Sequence, residues 1–262
     1  MTGLRLPLLA GFLLLVLTSA CQQKKPNQTL HLSGATMGTT WSLSLLPGPA
    51  KLNSAVLHDK LQQRLDQLNS LMSTYDPESE ISRFNKRQST DWFNISAETA
   101  EVIQLSQNIS ILTGGAFDIS VGPLVELWGF GARERQGHIP TTEQIREQLE
   151  RVGYAKLELR EDLTAIRKQV PQLQIDLSAV AKGYAVDLLA DLLKQQGISN
   201  FLLEIGGEMQ VVGRRGDGTL WRVGIEKPLE DSREVEKVLP LSGTALATSG
   251  NYRNFYVEDG QR

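Results

Sequence analysis

Residues 172–212, QLQIDLSAVAKGYAVDLLADLLKQQGISNFLLEIGGEMQVV, carry the clearest structural pattern in this 262-residue chain. Alternating apolar residues predict a short strand over Gln172–Leu177, and apolar residues at helical spacing predict a helix over Ala179–Gln196, which the next glycine closes. Alternation then predicts two strands, Phe201–Ile205 and Glu208–Val212, separated by a pair of glycines. Such a short connection favours antiparallel pairing of the two strands.

The flanking sequence extends this pattern in both directions. Helical spacing predicts a helix over Val56–Met72 and a second helix that starts after Ser96, its N-cap, and runs to Leu112. Thr141 opens a capping box for a helix that ends near Arg151. Further strands are predicted over Leu30–Leu46 (a strand or a hairpin), Lys156–Arg160, Thr164–Lys168, Trp221–Glu226, Lys237–Pro240 and Thr244–Thr248. Helices grouped early and strands grouped late predict an α+β fold, a largely antiparallel sheet with packed helices.

The beginning of the chain is typical of an exported protein. Arg5 precedes a 12-residue apolar run, Leu6 to Leu17, and small residues lead to Cys21. This run is shorter than the roughly 20 residues of a membrane span, so we expect residues 1–20 to be a lipoprotein signal peptide. Cys21 would carry the lipid and residues 21–31 would form a tether, although Thr18 stands where lipoproteins usually have Leu, which leaves an ordinary signal peptide as the alternative.

Composition excludes several classes of function. Without Arg5, 26 basic residues face 30 acidic ones, a net charge of −4, so the chain has no basic surface of the kind that binds nucleic acid. A single cysteine excludes disulfides within the chain. The three histidines, His31, His58 and His138, lie outside the segments discussed below and offer little to a zinc site or a Ser–His triad. A bound metal would therefore be a hard cation on oxygen ligands, such as Mg²⁺.

Two segments rich in small residues, Thr113–Pro123 and Ile175–Gly183, each contain an aspartate beside apolar residues. A carboxylate such as Asp118 is costly to bury without hydrogen bonds, a cation or a ligand donor. The ordinary alternative is that Asp118 caps a neighbouring turn. Asp176 is predicted to end a strand, and Lys182 to lie in the first turn of the following helix, where free N–H groups favour a phosphate. A lysine there opposes the helix dipole unless an anion is bound, which favours a ligand site.

Two further segments could face a ligand. Gly34–Trp41 combines glycines with threonines, which suits an anion, but the same pattern is typical of a bulged strand. Met37 within it is either a core residue or a contact for an aromatic ring. Tyr75 follows a helix in a polar turn and could stack on a flat ring system, whereas Asp76 and the proline after it are more simply a turn.

Taken together, six ordered motifs resemble the ApbE family of bacterial FAD:protein FMN transferases, formerly described as thiamine-biosynthesis lipoproteins. The matching motifs are MGTTW at 37–41, STYDPESEISRFN at 73–85, TGGAFDISVGPL at 113–124, IDLSAVAKGYAVD at 175–187, LLEIGGE at 202–208 and ATSGNY at 247–252. The resemblance implies an ApbE-like, T-fold-related single domain over residues 32–262, with FAD and Mg²⁺ bound. It also implies transfer of FMN from FAD to a threonine hydroxyl of an acceptor protein, with release of AMP.

The resemblance also assigns site residues, acceptors and a location. The residues that would contact FAD are Met37, Tyr75, Ala116, Phe117, Asp118, Asp176 and Lys182, and the backbone carbonyl of Ala179 would bind Mg²⁺. The acceptors would be flavin-carrying subunits of membrane redox complexes, the sodium-pumping NADH:quinone reductase and the RNF complex. These acceptors imply an enzyme anchored through Cys21 to the inner membrane and facing the periplasm, while Gln22 after the cysteine leans toward the outer membrane.

One departure from the family pattern concerns the catalytic residues. Family members continue with a His…Asp-Pro…Thr-Gly stretch and then an Asp and a Thr that complete the metal site, whereas this sequence ends at Arg262. We therefore expect a C-terminally truncated chain, with unknown catalytic residues beyond Arg262 and no transferase activity of its own. Two rival functions are storage of FAD by an exported lipoprotein and hydrolysis of FAD to FMN and AMP.

Overall fold

The structure is a computed structural model that describes residues 28–48, 52–132, 139–229, 232–252, 254–258 and 260. The strands are β1 (Leu30–Thr36), β2 (Thr39–Leu45), β3 (Phe93–Asn94), β4 (Leu157–Leu159), β5 (Ala165–Lys168), β6 (Phe201–Ile205), β7 (Glu208–Val212), β8 (Trp221–Glu226), β9 (Val235–Leu241) and β10 (Thr244–Leu246). The helices are α1 (Ser54–Met72), α2 (Glu80–Lys86), α3 (Ala97–Leu112), α4 (Gly122–Leu127), α5 (Thr142–Leu149) and α6 (Ser178–Gln195).

The central sheet has the order β1-β2-β6-β7-β10, and a three-stranded sheet, β3-β5-β4, and a β8-β9 hairpin accompany it. Every strand pair among the described residues is antiparallel, which confirms the predicted α+β class. The segment Leu30–Leu46 is a hairpin, one of the two predicted possibilities, and β1 begins inside the range 21–31 predicted as a tether.

The two long helices α1 and α6 pack on one face of the central sheet because each carries a stripe of buried apolar residues. In α1 the stripe is Leu57, Leu61, Leu65, Leu68 and Met72, as the helical spacing predicts. Trp41, Leu203 and Ile205 line the facing side of the sheet and join the same core. The opposite face of the sheet is partly covered by the β8-β9 hairpin, whose Trp221 and Val223 pack on Met209 and Val211. This layering leaves one end of the sheet, beside the start of α6, open to solvent.

The helix ends follow their sequence signals. Ser96 caps α3 by accepting a hydrogen bond from the backbone of Thr99, and Thr141 forms the predicted capping box with Gln144 at the start of α5. Gly114 and Gly115 end α3 with positive φ angles, and Gly197 does the same after α6. Local chemistry therefore determines where these helices begin and end.

The predicted strand over Gln172–Leu177 is wrong. Leu173, Ile175 and Leu177 are buried in alternation, as the pattern indicates, but residues 171–177 pair with no strand among the described residues. We call residues 171–177 the strap. The side chain of Asn85 bonds to both backbone groups of Ile175 and takes the place of a neighbouring strand.

The predicted signal peptide, the lipidated Cys21 and most of the tether lie outside the described residues. Among the residues that are described, no helix has the length and apolar character needed to cross a membrane. The predicted domain limits stay a prediction.

Candidate functional site

Two turns meet at the open end of the central sheet. Met37 and Gly38 connect β1 to β2 with φ angles of 49° and 70°, and Gly206 and Gly207 connect β6 to β7 with φ angles of 55° and 101°. The start of β2 lies beside the end of β6 because the two strands are antiparallel neighbours. With a φ angle of 49°, Met37 lies in the left-handed region of backbone conformations. This conformation is uncommon for residues other than glycine and is concentrated at functional sites.

The start of α6 lies at the same end of the sheet and brings Lys182 to these turns. The Lys182 ammonium lies 3.0 Å from a carboxylate oxygen of Glu208 and 3.4 Å from the Gly206 carbonyl. Lys182 is the fifth residue of α6, so the prediction that it lies in the first turn is wrong by one position, because the helix begins at Ser178. Its charge is already matched in part by Glu208, which weakens the argument that it needs an external anion.

The loop from Ser73 to Ser79 holds Tyr75 above the start of α6. The Ser73 hydroxyl accepts hydrogen bonds from the backbone N–H groups of Tyr75 and Asp76. The hydroxyls of Ser79 and Ser82 both donate to the Ser73 carbonyl. These bonds fix the backbone of the loop, while the Tyr75 side chain is 66 % exposed and free to stack on a ligand.

These elements enclose the main cleft, a cavity of about 610 Å³. It is lined by the hairpin turn, the end of α1, the Tyr75 loop and the start of α6: Met37, Gly38, Leu68, Asn69, Met72, Ser73, Thr74, Tyr75, Asp76, Ser178, Ala181 and Lys182. Three predicted site residues, Met37, Tyr75 and Lys182, therefore share one cavity. Its volume is in the range of small-molecule and cofactor sites.

A second cavity, the side cleft, adjoins the main cleft and has a volume of about 420 Å³. Thr74 and Tyr75 line both cavities, so the two clefts lie on either side of these residues. Asp176 lines the side cleft together with Asn85 and Glu126. A ligand longer than the main cleft could therefore reach Asp176 by passing Tyr75.

Asp176 is held by its backbone and its side chain. Its N–H donates to the Ile119 carbonyl over 2.7 Å, and its carboxylate accepts from the N–H of Ser178 over 2.8 Å at the start of α6. The two aspartate segments singled out in the sequence thus meet in the structure. The carboxylate satisfies only one of the free N–H groups at the start of α6.

Asp118 has the ordinary role that the sequence left open. One carboxylate oxygen accepts from the backbone and hydroxyl of Ser120, and the other accepts from the backbone of Tyr154. Ala116 is exposed, and Phe117 packs against the core. None of the three lines either cleft in the described part of the chain, so their predicted contact with FAD stays a prediction.

The metal site predicted at Ala179 also stays a prediction. Ala179 is the second residue of α6 and is exposed to solvent. Among the described residues, no group of three or more His, Cys, Asp or Glu side chains gathers closely enough to hold a metal ion.

Sequence reasoning missed the roles of Glu208 and Asn85. Glu208 pairs with Lys182 through a buried carboxylate oxygen, Oε2. The sequence signal that could have revealed the role of Glu208 is the Gly206-Gly207 turn, because the residue after this turn lies at the open end of the sheet. Asn85 bonds Ile175, 90 residues away in sequence, and no local pattern reports such a contact.

The ApbE family model matches residues 37–262, which include every element that forms the two clefts. The chain belongs to the ApbE family. Two curated relatives are the FAD:protein FMN transferases of Vibrio cholerae, 41 % identical over 95 % of this chain and 73 % of the relative, and of Escherichia coli K12, 40 % identical over 98 % of this chain and 75 % of the relative.

Solved structures of ApbE proteins share the fold. The flavin transferase ApbE from Vibrio cholerae superposes with a TM-score of 0.82 at 40 % identity, covering 89 % of this chain and 75 % of that one. The apo form of the Pseudomonas stutzeri flavinyl transferase ApbE gives a TM-score of 0.79 at 33 % identity, covering 89 % and 74 %. The chain thus spans about three quarters of the length of these relatives and has the ApbE architecture.

Proposed function

We propose that this chain is a FAD:protein FMN transferase that moves FMN from FAD to a threonine hydroxyl of an acceptor protein. The observation that carries this proposal is the convergence of Met37, Tyr75 and Lys182 on one cleft at the start of α6. The thioether of Met37 and the aromatic ring of Tyr75 suit a planar ring system of FAD. The cation of Lys182 suits its diphosphate. Membership of the ApbE family supports the same function.

The cation and the helix start would hold the diphosphate of FAD. Ser178 and Ala181 from the first turn of α6 line the main cleft, so a diphosphate bound there would lie beside the positive end of the helix dipole. The N–H of Ser178 already bonds the Asp176 carboxylate, and the N–H of Ala181 bonds the Leu177 carbonyl. Lys182 adds a positive charge on the same side. The pairing of Lys182 with Glu208 would then orient the ammonium toward the phosphates and keep it from swinging into solvent.

The aromatic and thioether groups would hold a ring system of FAD. The exposed ring of Tyr75 offers a flat face for stacking. Its backbone N–H is already bonded to the Ser73 hydroxyl, so ligand binding would require little ordering of the loop. Met37 lies across the same cavity on a rigid turn. A polarizable sulfur and an aromatic face on one cleft are suited to a planar heterocycle.

The reaction forms one phosphoester bond and breaks one phosphoanhydride bond. The threonine oxygen attacks the phosphorus of the FMN half of FAD, the bond between the two phosphates breaks, and AMP leaves with the bridging oxygen. The threonine proton passes to a base. No described residue is assigned to that role, and the catalytic residues stay unknown.

Mg²⁺ is a proposed cofactor, with the Ala179 carbonyl as one ligand. Mg²⁺ in nucleotide sites commonly uses one or two protein ligands and completes its shell with phosphate oxygens and water. The described residues contain no cluster of three or more side chains that could bind the ion. Oxygen atoms of FAD and further ligands would therefore have to complete the coordination of Mg²⁺. When bound, the ion would neutralise charge on the departing phosphate.

The test is to incubate the product of the complete gene with FAD, Mg²⁺ and a purified acceptor domain. Covalent flavin fluorescence on the acceptor in a denaturing gel supports the proposal. Free FMN and AMP without labelled acceptor would indicate FAD hydrolysis instead. Unchanged FAD that copurifies with the protein would indicate storage, and either result would overturn the proposed transfer.

We also propose that Cys21 carries a lipid that anchors the enzyme to the cell membrane on its periplasmic side. There it would modify flavin-acceptor subunits of membrane redox complexes of the NADH:quinone reductase and RNF type. The sequence before Cys21 and the resemblance support this proposal. Incorporation of labelled palmitate into the wild-type protein and not into Cys21→Ser would support it. Equal labelling of both proteins, or labelling of neither, would contradict the lipid anchor. Fractionation of the labelled protein would distinguish the inner from the outer membrane.

A further inference from the structure

Lys168 is a buried cation whose ammonium contacts no carboxylate in the described part of the chain. Its side chain is 1 % exposed, and its Nζ donates to three backbone carbonyls, those of Asn85 at 3.2 Å, Arg87 at 2.8 Å and Pro171 at 3.1 Å. The ring of Phe84 lies 4.9 Å from the same ammonium. Burying a lysine costs free energy, so the burial of Lys168 calls for an explanation. A role that requires three N–H donors on one atom would explain why a lysine occupies this position.

The three carbonyls belong to two segments that meet below the side cleft. Asn85 and Arg87 come from the end of α2, and Pro171 begins the strap. Lys168 therefore ties the strap to α2 at one point, and the Asn85 side chain ties it at a second point through the N–H and carbonyl of Ile175, both at 2.8 Å. The next residue along the strap is Asp176.

We propose that Lys168 is a positioning residue that, together with Asn85, fixes the strap and thereby sets the place of Asp176 and the start of α6. The strap has no strand partner among the described residues, so these side-chain bonds, together with the bond from the Asp176 N–H to the Ile119 carbonyl, hold it in place of a sheet. The Asp176 carboxylate accepts a hydrogen bond from Ser178, the first residue of α6, and Lys182 follows within the next turn. This inference rests on the proposed function, because its consequence is measured as affinity for FAD.

The charge state of Lys168 gives a readout that a merely structural role would not move. Burial lowers the pKa of Lys168 from 10.5 to about 8, and the guanidinium of Arg87 acts in the same direction. The paired strand β4 places the apolar Leu157 opposite Lys168, and the strap contributes Pro171. A neutral amine has two N–H donors for three carbonyls, so above pH 8 one of the three bonds that join Lys168 to α2 and the strap is lost.

The experiment is a titration of FAD into the purified chain at several pH values between 7 and about 9.5. We expect wild-type affinity to fall as the pH passes about 8. Lys168→Met, which keeps the length of the side chain, should bind FAD about tenfold more weakly at pH 7 with no such pH step. Hydrogen exchange of the amides of Ile175 and Asp176 should quicken in the variant.

Two further variants keep the inference falsifiable. Leu45→Ala removes a buried side chain at the end of β2 far from the Met37 turn, and should lower stability while leaving FAD affinity unchanged. Asn85→Asp keeps the acceptor for Ile175 and loses the donor, and should weaken FAD binding even if Lys168→Met fails to fold.

Equal FAD affinity in Lys168→Met and wild type would overturn the positioning role. So would equal losses of affinity in Lys168→Met and Leu45→Ala, since the effect would then follow stability alone. If Lys168→Met does not fold, normal FAD binding by Asn85→Asp overturns the inference. Absence of FAD binding by the wild-type chain would instead overturn the proposed function, and this inference with it.

Discussion

The ammonium of Lys182 lies 3.0 Å from a carboxylate oxygen of Glu208, at the point where α6 meets the turn between β6 and β7. The pair joins the fifth residue of α6 to the first residue of β7. Glu208 therefore decides where the positive charge of the main cleft points. This arrangement makes Lys182 and Glu208 the first residues to vary.

Lys182→Met should lower FAD affinity by about 10- to 100-fold, because a hydrogen bond to a charged group is worth about 1.5–3 kcal/mol. Glu208→Gln should lower affinity by a smaller factor than Lys182→Met, since the ammonium keeps its charge but loses the carboxylate that orients it. Isothermal titration with FAD measures both variants. Lys194→Met is the matched control, because Lys194 bonds Asp191 near the other end of the same helix. A loss of affinity in the control equal to that in Lys182→Met would count against the assignment.

Tyr75→Ala should weaken FAD binding about fivefold or more, since stacking of a base on an aromatic ring is worth about 1–3 kcal/mol. Tyr75→Phe keeps the ring and should bind nearly as well as wild type. The ring is 66 % exposed, so neither change should shift the thermal midpoint appreciably. Quenching of flavin fluorescence measures the affinities. Equal binding by all three proteins would show that Tyr75 does not stack on the ligand.

Gly34→Ala should destabilise the fold by about 1–3 kcal/mol through overpacking. A Cβ atom at Gly34 would lie 2.5 Å from the indole nitrogen of Trp41 and 2.6 Å from the side-chain oxygen of Gln62. These two atoms form a 2.9 Å hydrogen bond, in which the indole N–H donates to the Gln62 oxygen. Gly183→Ala in α6 meets no heavy atom within 4 Å and should stabilise the helix by up to about 1 kcal/mol. Urea denaturation of both variants tests the contrast, and equal stabilities would refute it.

The stability of the protein should rise with pH in the window where Lys168 titrates. Its folded pKa is about 8 and its ordinary value 10.5, so between these values the unfolded chain binds a proton that the folded chain has released. The cost of the buried charge is therefore fully present below pH 8 and disappears as the pH rises to about 10.5. Urea unfolding of wild type and Lys168→Met across this range measures the effect, and parallel curves would contradict it. FAD affinity is expected to change in the opposite direction over the same pH range.

The sequence predicts the elements of this fold well where local chemistry decides them. Trp221–Glu226 is a strand with the predicted limits, and Ser96 caps α3 as its residue type indicates. The strap shows the limit of such prediction. Alternating burial of Leu173 and Ile175 reports which side chains face the core, but it does not report whether the backbone has a strand beside it.

The site was predictable in part for a similar reason. Met37 and Tyr75 come from turns whose composition is unusual, and the structure brings them together with Lys182. The partners of Lys168 and Lys182 depend on strand register and on contacts between distant segments, which one sequence does not reveal. Asp118 shows the converse case, since its half-buried carboxylate is satisfied by the protein itself.

The most direct test of the proposed function compares AMP release with covalent flavin on the acceptor, using the product of the complete gene. Transfer predicts one AMP for each flavin attached, mass-spectrometric location of FMN on a threonine of the acceptor, and no attachment when that threonine is changed to valine. Release of AMP with free FMN, and an acceptor that carries no flavin, would contradict the proposed transfer.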